Sequence, residues 1–455
     1  MSDRKNRRAK GGMWGRALDI AGRTPAERNR YVDFLRAFSI LAVVIGHWLV
    51  AAPYMQDGEV VGGHLLEILP WSQWLTLGFQ VMPVFFLVGG FSNGVSWSAT
   101  LRKEGTYADW FTGRLQRLIN PVLPLFLLWT VIAMFGTLAG VPRPIVSLAA
   151  ELALIPVWFL AVYIMVTALV PYTYAAWRRL GLKSFAALLL AAVMIDSATY
   201  AAQVPYIKWF NFAFVWLGIH QLGFAWSDGF FEKRSRALLF AFAGFAALII
   251  LVGPGIYPVA MIGVPGEAMS NSMPPTLALM ALGVTQTGIA LYLEPAGRRI
   301  LDRVKIWASV VLLNGMIMTI YLWHLTAFVL VMIVAYLLGG LGLDVAPGSA
   351  GWWLARPIWF AIYIAALMPL IIIFARFEQP GSIAGQAPKP AIAHWRLILG
   401  LLLICAGLAS TAVYSIASPL GITGVRLWII AMPLIGAGIV RFGPVYDIVE
   451  RRKAK

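Results

Sequence analysis

Long apolar runs separated by short polar segments set the pattern of this chain, at 32–52, 75–96, 120–140, 157–177, 184–201, 206–226, 237–255, 275–293, 306–340, 353–375, 397–417 and 424–441. About 20 mostly apolar residues cross roughly 30 Å of hydrocarbon, so each run predicts a transmembrane helix. The ninth run is too long for one crossing, since 35 residues at 1.5 Å each would reach about 50 Å. It predicts a break near Asn314-Gly315, or a protrusion from the membrane. The expected fold is all-α: a polytopic transmembrane helix bundle of about 12 spans.

The polar segments divide the chain further. Residues 1–30 carry nine Lys/Arg and no apolar core, which excludes a cleavable signal peptide and predicts a basic, disordered cytosolic tail. Residues 31–376 hold ten of the runs. A Pro/Gly/Ala-rich linker at 377–396 precedes a C-terminal helical pair at 397–441 and a second basic tail at 442–455. With the N-terminus placed in the cytosol, 31 of the 36 Lys/Arg fall on cytosolic segments. Only Arg143, Lys208, Arg356 and Arg426 fall on the other side. That asymmetry predicts an even number of crossings, with both termini inside.

Composition agrees, with 60% hydrophobic and 12% charged residues, against about 25% charged in soluble domains. The net charge of +16 sits in short loops between apolar runs, so it does not form the continuous basic stripe that nucleic acid requires. Anionic membrane lipids account for the basic ends. The single cysteine, Cys405, lies in an apolar run and excludes a disulfide framework or a cysteine metal site. There is no P-loop, no HExxH and no dinucleotide fingerprint. No metal and no permanently bound cofactor is expected.

Ionisable side chains inside spans are costly and mark function or interhelical bonding. In RYVDFLRAFSILAVVIGHWL, Arg36 and His47 are eleven residues apart. That spacing is close to three helical turns, which puts them on one face and about 16 Å apart along the axis. They can line one groove at two depths, Arg36 near the cytosol and His47 in the outer half. Snorkelling to headgroups also suits Arg36, and an interhelical hydrogen bond also suits His47. A neutral imidazole can take a hydroxyl proton. Similar residues recur as His324 beside Tyr321 in MTIYLWHL, Asp196 in VMIDSATY and His220 in GIHQLGF. Arg114 and Arg117, at i and i+3 before the third span, either grip a phosphate-rich donor or serve as a positive-inside signal.

Taken together, these residues resemble the acyltransferase-3 family of integral membrane acyltransferases. Asp33-x-Leu35-Arg36 followed by His47 is similar to its first-span signature, MPVFFLVGGF to its second span, Arg114-Leu-Gln-Arg117 to its cytosolic Arg-x-x-Arg, and IYLWHL to its late motif. The resemblance covers roughly residues 30–376 and implies a ten-span core with the terminal pair as an addition. Two positions depart from the pattern. Gly89 stands where many members have Ser, and Pro156-Val157 replaces a histidine often found before Trp-Phe-Leu.

The resemblance implies transfer of an acyl group, often acetyl, from acyl-CoA to a hydroxyl of a cell-envelope glycan, glycolipid or small metabolite at the inner membrane. It implies His47 as catalytic base or transient acyl carrier, Arg36 at the donor end, Arg114 and Arg117 on the donor's phosphates, and Asp33 holding Arg36. The residues themselves also allow a proton-coupled transporter or flippase of a lipid-linked sugar, with His47, Asp196 and His324 as a relay. Acceptor identity, acyl length and oligomeric state are not encoded in any pattern of the sequence.

Overall fold

A computed structural model describes residues 12–25, 28–378, 392–417 and 424–440. The helices are α1 (Met13–Gly22), α2 (Arg30–Val50), α3 (Met82–Arg102), α4 (Tyr107–Ile119), α5 (Val122–Leu138), α6 (Arg143–Ala168), α7 (Val170–Leu180) and α8 (Leu182–Tyr200). They continue with α9 (Asn211–Ser227), α10 (Arg234–Val252), α11 (Leu277–Leu301), α12 (Val304–Asn314), α13 (Ile317–Leu337), α14 (Ala350–Phe374), α15 (His394–Tyr414) and α16 (Leu427–Ile439). Single helical turns and one antiparallel hairpin, β1 (Tyr54–Gln56) with β2 (Glu59–Val61), complete the described residues.

Ten of the described helices are long and apolar enough to cross a bilayer. Two of the twelve runs fall short. The run at 206–226 forms α9 and that at 424–441 the 13-residue α16, and neither is among the ten; α16 is about 20 Å long. The long ninth run is interrupted where expected. Asn314 turns its amide onto the Val310 and Asp33 carbonyls, both at 2.9 Å, and ends α12 at Gly315.

The chain folds as two compact units. The first comprises Met1–Gly46, Leu66–Ser96 and Val170–Ile317. Its centre is α9, buried from Val215 to Trp226 on all sides, as expected for a helix without a polar face. Helices α3 and α9 cross at backbone contact: a Cβ at Gly90 would meet the His220 carbonyl oxygen, and one at Gly223 the Leu87 carbonyl oxygen. Within the tail expected to be disordered, residues 13–22 are helical. Ala17 and Ala21, one turn apart, are buried where α1 packs on α12, and Trp307 donates to Thr24 Oγ1 at 2.9 Å. The basic count masked this short small-residue face. Residues 1–11, 26 and 27 lie outside the described residues, as do 379–391 and 441–455.

The second unit comprises His47–Leu65, Trp97–Leu169 and Met318–Lys455. Its α6 begins at Arg143, fourteen residues before the expected start of that span, and stops at Ala168. The early start was hidden by Arg143, Glu151 and two prolines. Pro144 sits in the first turn, where its missing N–H is harmless, and Pro156 is carried inside the helix. In the terminal pair, α16 packs on α15 and touches α5, and α15 packs on α6. Cys405 lies there, half-buried, with Sγ 3.7 Å from the Ala161 carbonyl.

Candidate functional site

In the second unit, the last turn of α2 meets α13. His47 Nδ1 lies 2.9 Å from His324 Nε2, and the two rings are parallel within 3°. His324 Nδ1 is 2.6 Å from the carbonyl of Tyr321, one turn back on its own helix. A carbonyl only accepts, so His324 Nδ1 carries the proton and donates. Neutral His324 then has an unprotonated Nε2, and that nitrogen accepts from His47 Nδ1–H. His47 is thereby fixed as the tautomer whose Nε2 is a free lone pair. No described residue hydrogen-bonds this Nε2. The arrangement has the logic of a base oriented by a second group behind it.

The surroundings hold this geometry. Trp48, next to His47 and buried, donates from its indole to the His324 carbonyl at 3.1 Å. Tyr321 donates its hydroxyl to the Pro156 carbonyl at 2.9 Å. It therefore reaches the position where the family pattern often carries a histidine, and meets backbone there. Trp129 donates to Thr326 Oγ1 at 3.0 Å. At the first turn of α13 the Glu378 carboxylate accepts from Met318 N, Thr319 N and Thr319 Oγ1 at 2.8–2.9 Å. An anion on exposed helix N–H groups is favourable, and here it anchors the helix that carries His324.

In the first unit, Asp33 Oδ1 accepts from Arg36 Nη1 at 3.2 Å and Oδ2 from Arg28 Nε at 2.7 Å. Arg36 Nη2 donates to Ser92 Oγ at 3.1 Å. Asp33 is buried while the two arginines are partly exposed. One carboxylate between two guanidinium groups leaves a net positive charge. Beside it opens a cleft of about 260 Å³ lined by Ile20, Arg28, Asp33, Trp307, Val311, Asn314 and Gly315.

Arg114 and Arg117 lie on α4, whose start is capped by Thr106 Oγ1 accepting from Asp109 N at 3.1 Å. Trp110, Phe111, Leu115 and Ile119 form the buried face of this amphipathic helix. The Arg114 guanidinium lies over the Trp110 ring at 4.3 Å, and Arg117 is exposed.

Asp196 and His220 belong to the first unit, and each has its own partners. Asp196 accepts from Asn211 Nδ2 at 2.7 Å, Tyr257 Oη at 2.8 Å and the Leu277 amide at 2.8 Å. Burial, together with the neighbouring carboxylate, pushes the Tyr257 phenol up, which keeps it a donor. This carboxylate ties α8, α9, the loop after α10 and the start of α11 together. Asp196→Ala leaves three donors unpaired and is expected to destabilise the protein by roughly 3 kcal/mol or more. A lowered Tm with unchanged activity per folded molecule is the expected result; lost activity at full Tm would place Asp196 in the chemistry. His220 Nε2 pairs with Asn93 Nδ2 at 3.1 Å beside the Gly90 crossing.

Sequence reasoning overlooked Trp48, Arg28 and Glu378. Arg28 stood in a basic tail, and Glu378 follows the last apolar run of the core, so neither carries periodicity. Trp48 was visible only as the neighbour of His47. Residues 29–376 match the family model described as an acyltransferase domain. No curated protein and no solved structure matches the chain. The matched region contains the histidine pair, the Asp33–Arg36 pair and the Arg114–Arg117 turn, and it ends before α15 and α16. Ten apolar helices of crossing length and a family match over most of its length make this chain a multi-pass membrane protein that belongs to the acyltransferase-3 family of acyltransferases.

Proposed function

We propose that the protein transfers an acyl group, acetyl in the simplest case, from acyl-CoA to a hydroxyl of a cell-envelope glycan, glycolipid or small metabolite at the inner membrane. The observation that carries this reading is the free Nε2 of His47, fixed by the hydrogen bond from its Nδ1–H to His324. In the reaction the acceptor oxygen attacks the thioester carbonyl carbon and its proton moves to His47 Nε2. The carbonyl π pair moves onto oxygen, giving a tetrahedral oxyanion. Its collapse breaks the C–S bond, and the leaving thiolate takes the proton back from the imidazolium. The products are the ester and free CoA.

His324 acts behind the base. It accepts from His47 Nδ1–H throughout, and so holds the ring while Nε2 gains and loses its proton. The thioester is already activated, so orientation and proton transfer make up most of the protein's task. Arg114 and Arg117 supply adjacent cations for the phosphates of CoA, and Arg36 adds positive charge at the cytosolic end of α2. The donor then approaches from the cytosol, with both termini on that side.

The test uses membranes containing the protein and acetyl-CoA labelled in the acetyl group. Label appearing covalently in the extracted lipid or glycan fraction, with stoichiometric release of CoA, is the expected outcome. Movement of a sugar lipid across the membrane with no covalent label would refute acyl transfer and favour a transporter.

A further inference from the structure

One charged side chain in the second unit is buried and takes no part in the chemistry above. Arg356 lies inside α14 and is only 8% exposed. Its guanidinium rests against Trp352 at 4.0 Å and lies 5.9 Å from Trp359. Its hydrogen bond is a long one, from Nε to the Trp352 carbonyl of its own helix at 3.3 Å. No carboxylate among the described residues pairs with it. A guanidinium carries five N–H donors in a planar fork, and here both Nη groups bond no described residue.

A buried cation without an anion is strongly unfavourable unless something else supplies the negative charge. Two tryptophan faces offset part of that cost and hold the guanidinium plane in place. They leave its edge, the part that grips phosphate or carboxylate bidentately, without a protein ligand.

The position of Arg356 connects it to the histidine pair. Trp352, Arg356, Trp359 and Tyr363 all fall on the buried face of α14. Tyr363, seven residues on, is about 10 Å along the axis. Its hydroxyl has no hydrogen-bond partner among the described residues, and its ring packs on Trp48 at 5.3 Å. Trp48 in turn holds the His324 carbonyl. A stripe of aromatic side chains thus runs from the unpaired cation to the residues that orient His47.

We propose that Arg356 is an anion receptor that binds a phosphate or carboxylate group of the acceptor, and that the acceptor class is therefore anionic. That the anion belongs to an acceptor rests on the acyl-transfer reading; that Arg356 binds an anion does not. With Tyr363 and Trp48 beneath it, the receptor holds a charged group on one side while a hydroxyl some distance away is presented to His47.

The experiment measures Tm of the purified full-length protein in a neutral detergent, without acyl donor, on adding inorganic phosphate, acetate or phosphatidylglycerol against chloride at equal ionic strength. Wild type is expected to rise by about 3 °C with phosphate or acetate, and R356M not to respond. R356K keeps the charge but loses the fork, and is expected to respond less than wild type; it gives the answer if R356M does not fold. H47Q is expected to respond as wild type does, so a failure here leaves acyl transfer standing, and the reverse also holds. No rise in wild type, or an equal rise in R356M and R356K, overturns the receptor. A rise with phosphatidylglycerol alone assigns Arg356 to a bilayer headgroup and overturns the anionic acceptor.

Discussion

Replacing His47 by alanine is expected to slow acyl transfer by about 10²–10⁴-fold, the usual contribution of a positioned general base. The protein should keep its amount and its Tm, because the His47 ring is only partly buried. The pairing partner gives a second, sharper result. His324→Leu removes the acceptor for His47 Nδ1–H and lets the ring turn or change tautomer, so kcat should fall with little change in KM for the donor. His324→Gln can restore an amide oxygen for His47 and an N–H for the Tyr321 carbonyl, and should recover part of the rate. CoA release by His47→Ala at the wild-type rate, with acceptor present, would remove His47 from the mechanism. Equal losses in His324→Leu and His324→Gln would reduce His324 to a packing residue.

The largest effect on stability is expected at the crossing of α3 and α9. A Cβ on Gly223 would lie 2.2 Å from the Leu87 carbonyl oxygen and 2.4 Å from the Phe91 amide nitrogen. Both are backbone atoms, so no side chain can rotate away. Separating the helices would also disturb the Phe86–Trp216 and Phe91–Trp226 ring contacts, at 4.3 and 4.6 Å. Overpacking of flexible sites costs about 1–3 kcal/mol, and a backbone clash exceeds that range. Close approach through small residues is also a main source of helix association in membranes. Gly223→Ala should therefore lose most of its folded yield. Gly438→Ala, where nothing lies within 4 Å of the added carbon, should be neutral or slightly stabilising. Similar folded yields for the two variants, measured by size-exclusion profile and Tm, would contradict the crossing geometry.

The limits of sequence reading show in particular residues. Helical spans were legible because lipid leaves a run of 20 apolar residues few choices, and the length of the ninth run left a break near Asn314-Gly315 or a protrusion, of which the structure has the break. The Asp33–Arg36 contact was legible because i and i+3 share a face. His47 and His324 were each conspicuous as imidazoles among apolar residues. Their contact joins positions 277 residues apart, and nothing local encodes it. Asp196 was conspicuous for the same reason. The three donors around it come from Asn211, Tyr257 and Leu277, and only tertiary structure tells such a clasp from a proton-carrying residue. The first fourteen residues of α6 and the whole of α1 were missed because charges and prolines there outweighed short apolar faces.

The backbone carbonyl behind His324 has a consequence for energy coupling. A carbonyl oxygen accepts a hydrogen bond but has no proton to hand on, so the chain from His47 through His324 to Tyr321 is a cul-de-sac. A proton arriving at His47 leaves by the same ring nitrogen. Each catalytic cycle that uses this pair therefore ends with the protein's proton inventory unchanged, and the histidines offer no route by which a transmembrane ion gradient could drive the reaction.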